Sequence, residues 1–226
     1  MARKRLYTLD ENCFDTIDKE DKAYWFGFIL TDGSITSKIN TVLQIKLKAD
    51  DSHHLEKFNS FIQTDKPLTF LISKSSSSDY KDTKAVQQII SSKKIVKDLI
   101  ANGCPENNKS KELTFPNIRV DLERHFIRGL IDGDGSFYTV KGKKESHQSL
   151  MGFSYIGTES MVTGFSEKVK FLNCGKIYKE KRVENCFYFS SVLTQSNAKL
   201  LREYLYSGAS YFLDRKYEKI TNYITS

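Results

Sequence analysis

Two stretches of the chain have an apolar helical body that runs into an acid and a glycine. Ala23–Thr36 reads AYWFGFILTDGSIT and His125–Tyr138 reads HFIRGLIDGDGSFY. Aligned on Gly27 and Gly129, the copies match at Asp32 and Asp134, at Gly33 and Gly135, and at Ser34 and Ser136. One offset serves every pair, so the chain repeats one small unit. After each copy the helical period gives way to alternation. In Val42–Ala49, Leu43, Ile45, Leu47 and Ala49 share one face and Gln44, Lys46 and Lys48 the other. That predicts a half-buried strand, with Ser34–Asn40 as its hairpin partner. Asp50–Gln63, with early acids and a stripe of Leu55, Phe58 and Ile62, predicts a helix with His53 and His54 exposed in its first turn. Lys66–Lys74 and Thr83–Ile90 predict two further strands, joined by the polar stretch Ser75–Asp82. Ser91–Asn102 predicts a serine-capped helix stopped by Gly103.

The linker Gly103–Pro116 separates this unit from its repeat. There, Ser136–Lys141 and Leu150–Gly157 predict a hairpin, with Phe153 and Tyr155 turned inward by alignment with Ile45 and Leu47. Thr158–Phe171 predicts a helix, Lys176–Lys181 and Cys186–Val192 a second hairpin, and Thr194–Tyr206 another helix before the tail Ala209–Ile224. The expected fold class is α+β: two pseudo-symmetric αββαββα repeats, residues 1–115 (linker included) and 116–226. Helices must cover the apolar face of each four-stranded antiparallel sheet, and the polar face stays open.

Gly129 and Gly133 stand four apart, and so do Gly27 and Thr31, so each helix has a small-residue face. Helices packed on those faces bring Asp32 and Asp134 together at their C-terminal ends. The helix dipole disfavours negative charge there, and two neighbouring carboxylates resist ionisation without a cation between them. A divalent, oxygen-liganded ion such as magnesium suits that position. A calcium-binding helix–loop–helix does not: Phe137 stands where such a loop needs glycine, and Lys143 where it needs glutamate.

Charge adds a partner class. The net charge is +7 with a pI near 9.0, and the C-terminal half carries the larger share. A polyanion is the expected partner. The cysteines Cys13, Cys104, Cys174 and Cys186 show no CxxC spacing, and the four histidines complete no zinc site. Cys174 and Cys186 are expected in strands or core, in a reducing intracellular compartment. The longest apolar run, Ala23–Leu30, is far too short for a membrane span, and MARKRLYTLDEN has no apolar signal segment. Its basic cluster suits a phosphate contact and a solvated end equally.

Trp25–Gly33 (WFGFILTDG) and Ile127–Gly135 (IRGLIDGDG) resemble the two motifs of single-chain LAGLIDADG homing endonucleases. The first copy departs from the pattern at Leu30, where the second has Asp132; the last acid is present in both. The resemblance covers nearly the whole chain. It implies motif helices at a central interface and two sheets forming a saddle over double-stranded DNA with a long, near-unique target site. It implies hydrolysis of both strands to leave short 3′ overhangs, by a monomer needing no protein partner. Two or three Mg²⁺ ions would be held by Asp32 and Asp134 with the backbone carbonyls of Thr31 and Gly133. A lysine from the end of each repeat lines the family's catalytic pocket; the matching residues are Lys109, ahead of Lys111, and Lys216, ahead of Arg215. Gln44 is a candidate for ordering water. The candidates for DNA contact are Ser34, Thr36, Lys38, Gln44, Lys46, Lys48, Ser136, Tyr138, Lys141, Ser154, Lys179 and Lys181. Two alternatives stay open: an RNA-binding intron maturase on the same fold, and a DNA-binding protein without cleavage.

Overall fold

The structure is a computed structural model, which describes residues 6–36, 41–73, 83–106, 109–141, 149–181 and 183–225. The first motif helix, α1 (Glu20–Asp32), is buried without a break from Ala23 to Leu30. It stops at Gly33, which turns into extended backbone and begins β1 (Gly33–Thr36). There follow β2 (Val42–Lys48), a 3₁₀ turn at Ala49–Asp51, α2 (Ser52–Phe61), β3 (Thr69–Ser73), β4 (Thr83–Ser91) and α3 (Lys93–Ala101). The Ser92 side chain accepts from the Ile95 backbone N–H and so caps α3. A short α4 (Lys109–Glu112) lies in the linker. The second copy runs α5 (Glu123–Asp134), β5 (Gly135–Val140), β6 (Leu150–Gly157), α6 (Glu159–Lys168), β7 (Lys176–Lys179), β8 (Phe187–Leu193), α7 (Gln195–Tyr206) and α8 (Asp214–Thr225).

Each half holds a four-stranded antiparallel sheet, in orders β1-β2-β4-β3 and β5-β6-β8-β7. One face of each is covered as the alternation demands. Leu43, Ile45, Val86 and Ile90 are buried on the first, and Phe153, Tyr155 and Phe189 on the second. Gly33 pairs with Ile45 and Gly135 with Tyr155. Tyr155 therefore corresponds to Ile45 and Phe153 to Leu43, two residues from the alignment expected. A slip of two keeps every side chain on its face, so the inward assignment stands.

Other expectations need correction. β3 starts at Thr69 rather than Lys66, because Pro67 has no N–H for the ladder. Cys174 and Cys186 sit half-buried just ahead of β7 and β8, not within them. His53 is exposed but His54 is buried, at 2% exposure, in a wall of Trp25 and Phe28. The stretch 75–82 and Lys38 lie outside the described residues.

The two halves exchange their tails. Lys57 on α2 donates to the Phe212 carbonyl and to both carboxylate oxygens of Asp214, at 2.8 and 2.9 Å. Arg215 reaches Asp51 at 3.1 Å. In the other direction Thr158 donates to the Leu113 carbonyl at 2.5 Å and Asn185 to the Lys111 carbonyl at 2.6 Å. Each repeat thus ends on the surface of its neighbour.

Candidate functional site

The closest approach of α1 and α5 is built on glycine. A Cβ placed on Gly27 would fall 2.4 Å from the Phe126 carbonyl oxygen, and one on Gly129 would fall 2.2 Å from that of Tyr24. On Gly133 it would lie 1.8 Å from Thr31 Oγ1 and 3.2 Å from Asp32 Oδ2. Backbone rests on backbone at Gly27 and Gly129, and Gly133 makes room for the Thr31 side chain, so the helix ends converge. Asp32 and Asp134 are the last residues of their helices, and the Asp32 carboxylate lies against Gly133, beside Asp134 in sequence.

Lys216 enters this site from the tail. Its Nζ donates to the carbonyls of Ile131 and Asp132, both at 2.6 Å, and of Gly133 at 2.9 Å. A cation there satisfies carbonyls that a helix end leaves without partners. Burial pulls the Lys216 ammonium down to about 8; Asp132 pulls it back, Arg215 adds to the drop, and Asp32 and Asp134 oppose it. Lys216 therefore feels both motif acids. Arg215 points the other way, to Asp51. In α4, Lys111 is exposed and pairs with Glu184 at 3.2 Å. The Lys109 side chain lies outside the described residues.

The donors around the two helix ends are all oxygen, carboxylates and backbone carbonyls, which is the set a hard divalent cation takes. The Gly133 carbonyl expected among them is shared with the Lys216 ammonium. Among the described residues no group of three or more His, Cys, Asp or Glu is placed to hold a metal ion.

Behind the motif acids lies a buried polar chain not expected from the sequence. The Tyr24 hydroxyl donates to Asp132 Oδ2 at 2.8 Å and meets His54 Nε2 at 3.0 Å. With that hydroxyl hydrogen spent on Asp132, His54 must donate through Nε2, which leaves Nδ1 unprotonated. Nδ1 has no partner among the described residues, and burial pulls the imidazole down to about 3. Asp132 Oδ2 also accepts from the Leu213 backbone N–H at 2.8 Å, and burial pushes this carboxyl up to about 6. One turn earlier, fully buried Arg128 donates to the carbonyls of Tyr211 and Leu205, both at 2.7 Å, and to Glu20 at 3.1 Å. Asp132 and Arg128 thereby hold the tail that delivers Lys216. The signal was present: they occupy the places of Leu30 and Phe26, which core packing fills with apolar groups.

The open sheet faces carry most of the remaining candidates. Ser34 and Thr36 are exposed on β1, and Lys46 and Lys48 on β2, while Gln44 Nε2 donates to Gln87 Oε1 at 2.7 Å. Ser136 and Ser154 pair across β5 and β6, and Lys141 is exposed just past β5. Tyr138 lies flat across its sheet: a Cβ on Gly152 would be 2.2 Å from its ring, and its hydroxyl meets Ser190 at 3.3 Å. Lys181 is exposed beyond β7. Lys179 corrects the list. It pairs with Phe187 on the helix-covered side of the sheet and stands 5.8 Å over that ring. Lys176, paired with Ser190, takes the open position instead.

A cavity of about 220 Å³ opens beside Asp134, lined by Leu30, Thr31, Tyr155, Ile156 and Cys186 among others. No helix among the described residues is long and apolar enough to cross a membrane.

No family model matches the chain, and no curated protein does. Solved structures do. The LAGLIDADG homing endonuclease I-GzeII, in complex with its DNA target, superposes with a TM-score of 0.61 at 13% identity, covering 90% of this chain and 88% of that one. I-SmaMI, a LAGLIDADG homing endonuclease bound to cleaved DNA, gives 0.58 at 14% identity, covering 90% and 87%. The same enzyme on uncleaved target with calcium ions gives 0.53 at 15% identity, covering 89% and 87%. At this identity the likeness is one of fold, and that fold is the two-repeat LAGLIDADG architecture.

Proposed function

We propose that this chain is a site-specific DNA endonuclease that binds duplex DNA across both sheets and hydrolyses both strands with divalent metal, as a monomer of two repeats, 1–115 and 116–226. The observation that carries the reading is the glycine-mediated close contact of α1 and α5, whose last residues are Asp32 and Asp134. Structural neighbours with the same fold hold DNA.

In this reading Asp32 and Asp134, with the Thr31 and Gly133 carbonyls, hold Mg²⁺. When bound, such ions lower the pKa of the attacking water and offset charge on the phosphate and leaving oxygen. The chain's own groups do the rest. Lys216 brings a fixed positive charge beside the acids, where charge grows on the phosphate. Lys109 takes the matching role for the other repeat. Gln44, held by Gln87, orients water or a base edge from β2.

The test is cleavage-site selection from a random duplex library with magnesium, followed by plasmid assays on the recovered site. Asp32→Asn and Asp134→Asn should each bind the site and fail to linearise it. Lys216→Met should slow cleavage at least tenfold more than it weakens binding, as for a group acting in the transition state. Wild-type linearisation by either aspartate variant would remove these acids from the role of metal ligands.

A further inference from the structure

The two open faces are chemically unlike. On the N-terminal sheet, Gln44, Lys46, Lys48 and Gln87 point outward, and Leu71 and Ile89 between them are half-buried. Its exposed Phe70 and Ile72 are in phase with buried Val86 and so lie on the helix side. On the C-terminal sheet the exposed outward apolar and aromatic residues are Tyr138, Leu150, Ile156, Tyr178 and Val192, each between 36% and 46% exposed. Between them runs a row of hydroxyls, Ser136, Ser154 and Ser190, in register across three strands. Tyr178 stacks on Tyr188 at 5.2 Å, and Gly152 leaves room for the Tyr138 ring to lie flat. Among the described residues, the strands of this face present outward no Arg, Asn or Gln.

Resting on the endonuclease reading, we infer that the C-terminal sheet reads its half of the DNA site through thymine 5-methyl groups, whereas the N-terminal sheet reads its half through amide and ammonium groups. Thymine is the base that offers an apolar group in the major groove. Serine hydroxyls donate or accept and so exclude no base. Bidentate readout of guanine or adenine needs Arg, Lys, Asn or Gln, and of these the strands offer Lys176 alone, at the edge. The face is continuous with the cleavage centre. β5 starts on the residue after Asp134, and Ile156 lines the cavity beside that acid. The net charge of +7, weighted to this half, fits DNA rather than an apolar partner.

The experiment replaces thymine by deoxyuridine in the selected site, one half at a time, and measures affinity. Loss of one buried methyl should weaken binding roughly fourfold. That loss should appear in one half of the site, with less than a twofold change in the other. Leu150→Gln and Val192→Gln change exposed residues and spare the core. Each should abolish the uridine effect in the affected half, which assigns that half to the C-terminal sheet. Equal uridine effects in both halves, or none, overturn the inference while the cleavage reading stands. Failure to select any cleaved site overturns the endonuclease reading first. A DNA-free dimer that Leu150→Gln dissolves would make this face a self-association surface and would also overturn it.

Discussion

α1 and α5 are alike where they touch and unlike elsewhere. On the shared face both put glycine against the partner's backbone. Beside that face α1 is apolar, with Phe26 and Leu30, whereas α5 buries Arg128 and Asp132 at the same places. The first helix is held by packing that any well-filled core supplies. The second is hydrogen-bonded to the segment from Leu205 to Lys216 and also to Glu20 and Tyr24 of α1. Symmetry is thus kept at the glycine contact, and given up where one repeat fastens its tail.

The shared face gives the largest expected effects. Gly27→Ala and Gly129→Ala each drive a methyl into backbone, and each should cost about 3 kcal/mol or more. Thermal unfolding of the two variants measures this. A clear inequality would break the equivalence of the helices at their contact.

The positions beside that contact should then separate. Arg128→Met leaves two buried carbonyls without their donor and should cost about 3 kcal/mol. Phe26→Met, its counterpart, is a nearly volume-conserving swap and should cost under about 1.5 kcal/mol. Denaturant midpoints at equal slope give the ranking, and equal losses would show that the polar network adds nothing beyond packing.

Acid sharpens the contrast on the first repeat's side. His54 corresponds in helix position to Met161, and both are buried. Its folded value near 3 lies below the ordinary 6.5, so the unfolded chain takes up a proton first as pH falls. Stability from this site is present above pH 6.5 and is lost progressively below it. From pH 7 to pH 5 the loss should be roughly 2 kcal/mol. His54→Met should remove that part of the acid sensitivity in urea titrations at the two pH values; an unchanged acid loss would assign it to other groups.

The smallest difference concerns the exchanged tails. Lys57→Met breaks contacts to Phe212 and Asp214 that are partly buried and should cost about 1 kcal/mol. Lys111→Met breaks an exposed pair with Glu184 and should cost under about 0.5 kcal/mol. Equal values would mean both tails are held by their backbone contacts.

The fold was legible because alternation, helical stripes and caps all pointed to one repeated unit. The close approach of the two motif helices was legible from the spacing of small residues. Hidden were the residues whose partners lie far along the chain. His54 looked like a polar first-turn residue, although its spacing of four from Phe58 places it on the apolar stripe. Arg128 and Asp132 stand where the first copy is apolar, but nothing local shows that carbonyls of residues 205 and 211 and the amide of residue 213 come to meet them. Lys179 failed for a different reason: on a short edge strand, exposure does not reveal which face a side chain takes.

The exchange of tails has a consequence for how the chain is made. A protein folds from its N-terminus as it leaves the ribosome, at about 5–20 residues per second. The first repeat cannot complete its own surface then, because the groups that cover Lys57 and Asp51 are Asp214 and Arg215. The partner of Arg128 at Tyr211 also arrives late. Until residues 205–215 are synthesised, the first half waits with an unfinished flank and the second motif helix with an arginine that lacks its two carbonyl partners. Closure of the two repeats therefore waits for that segment.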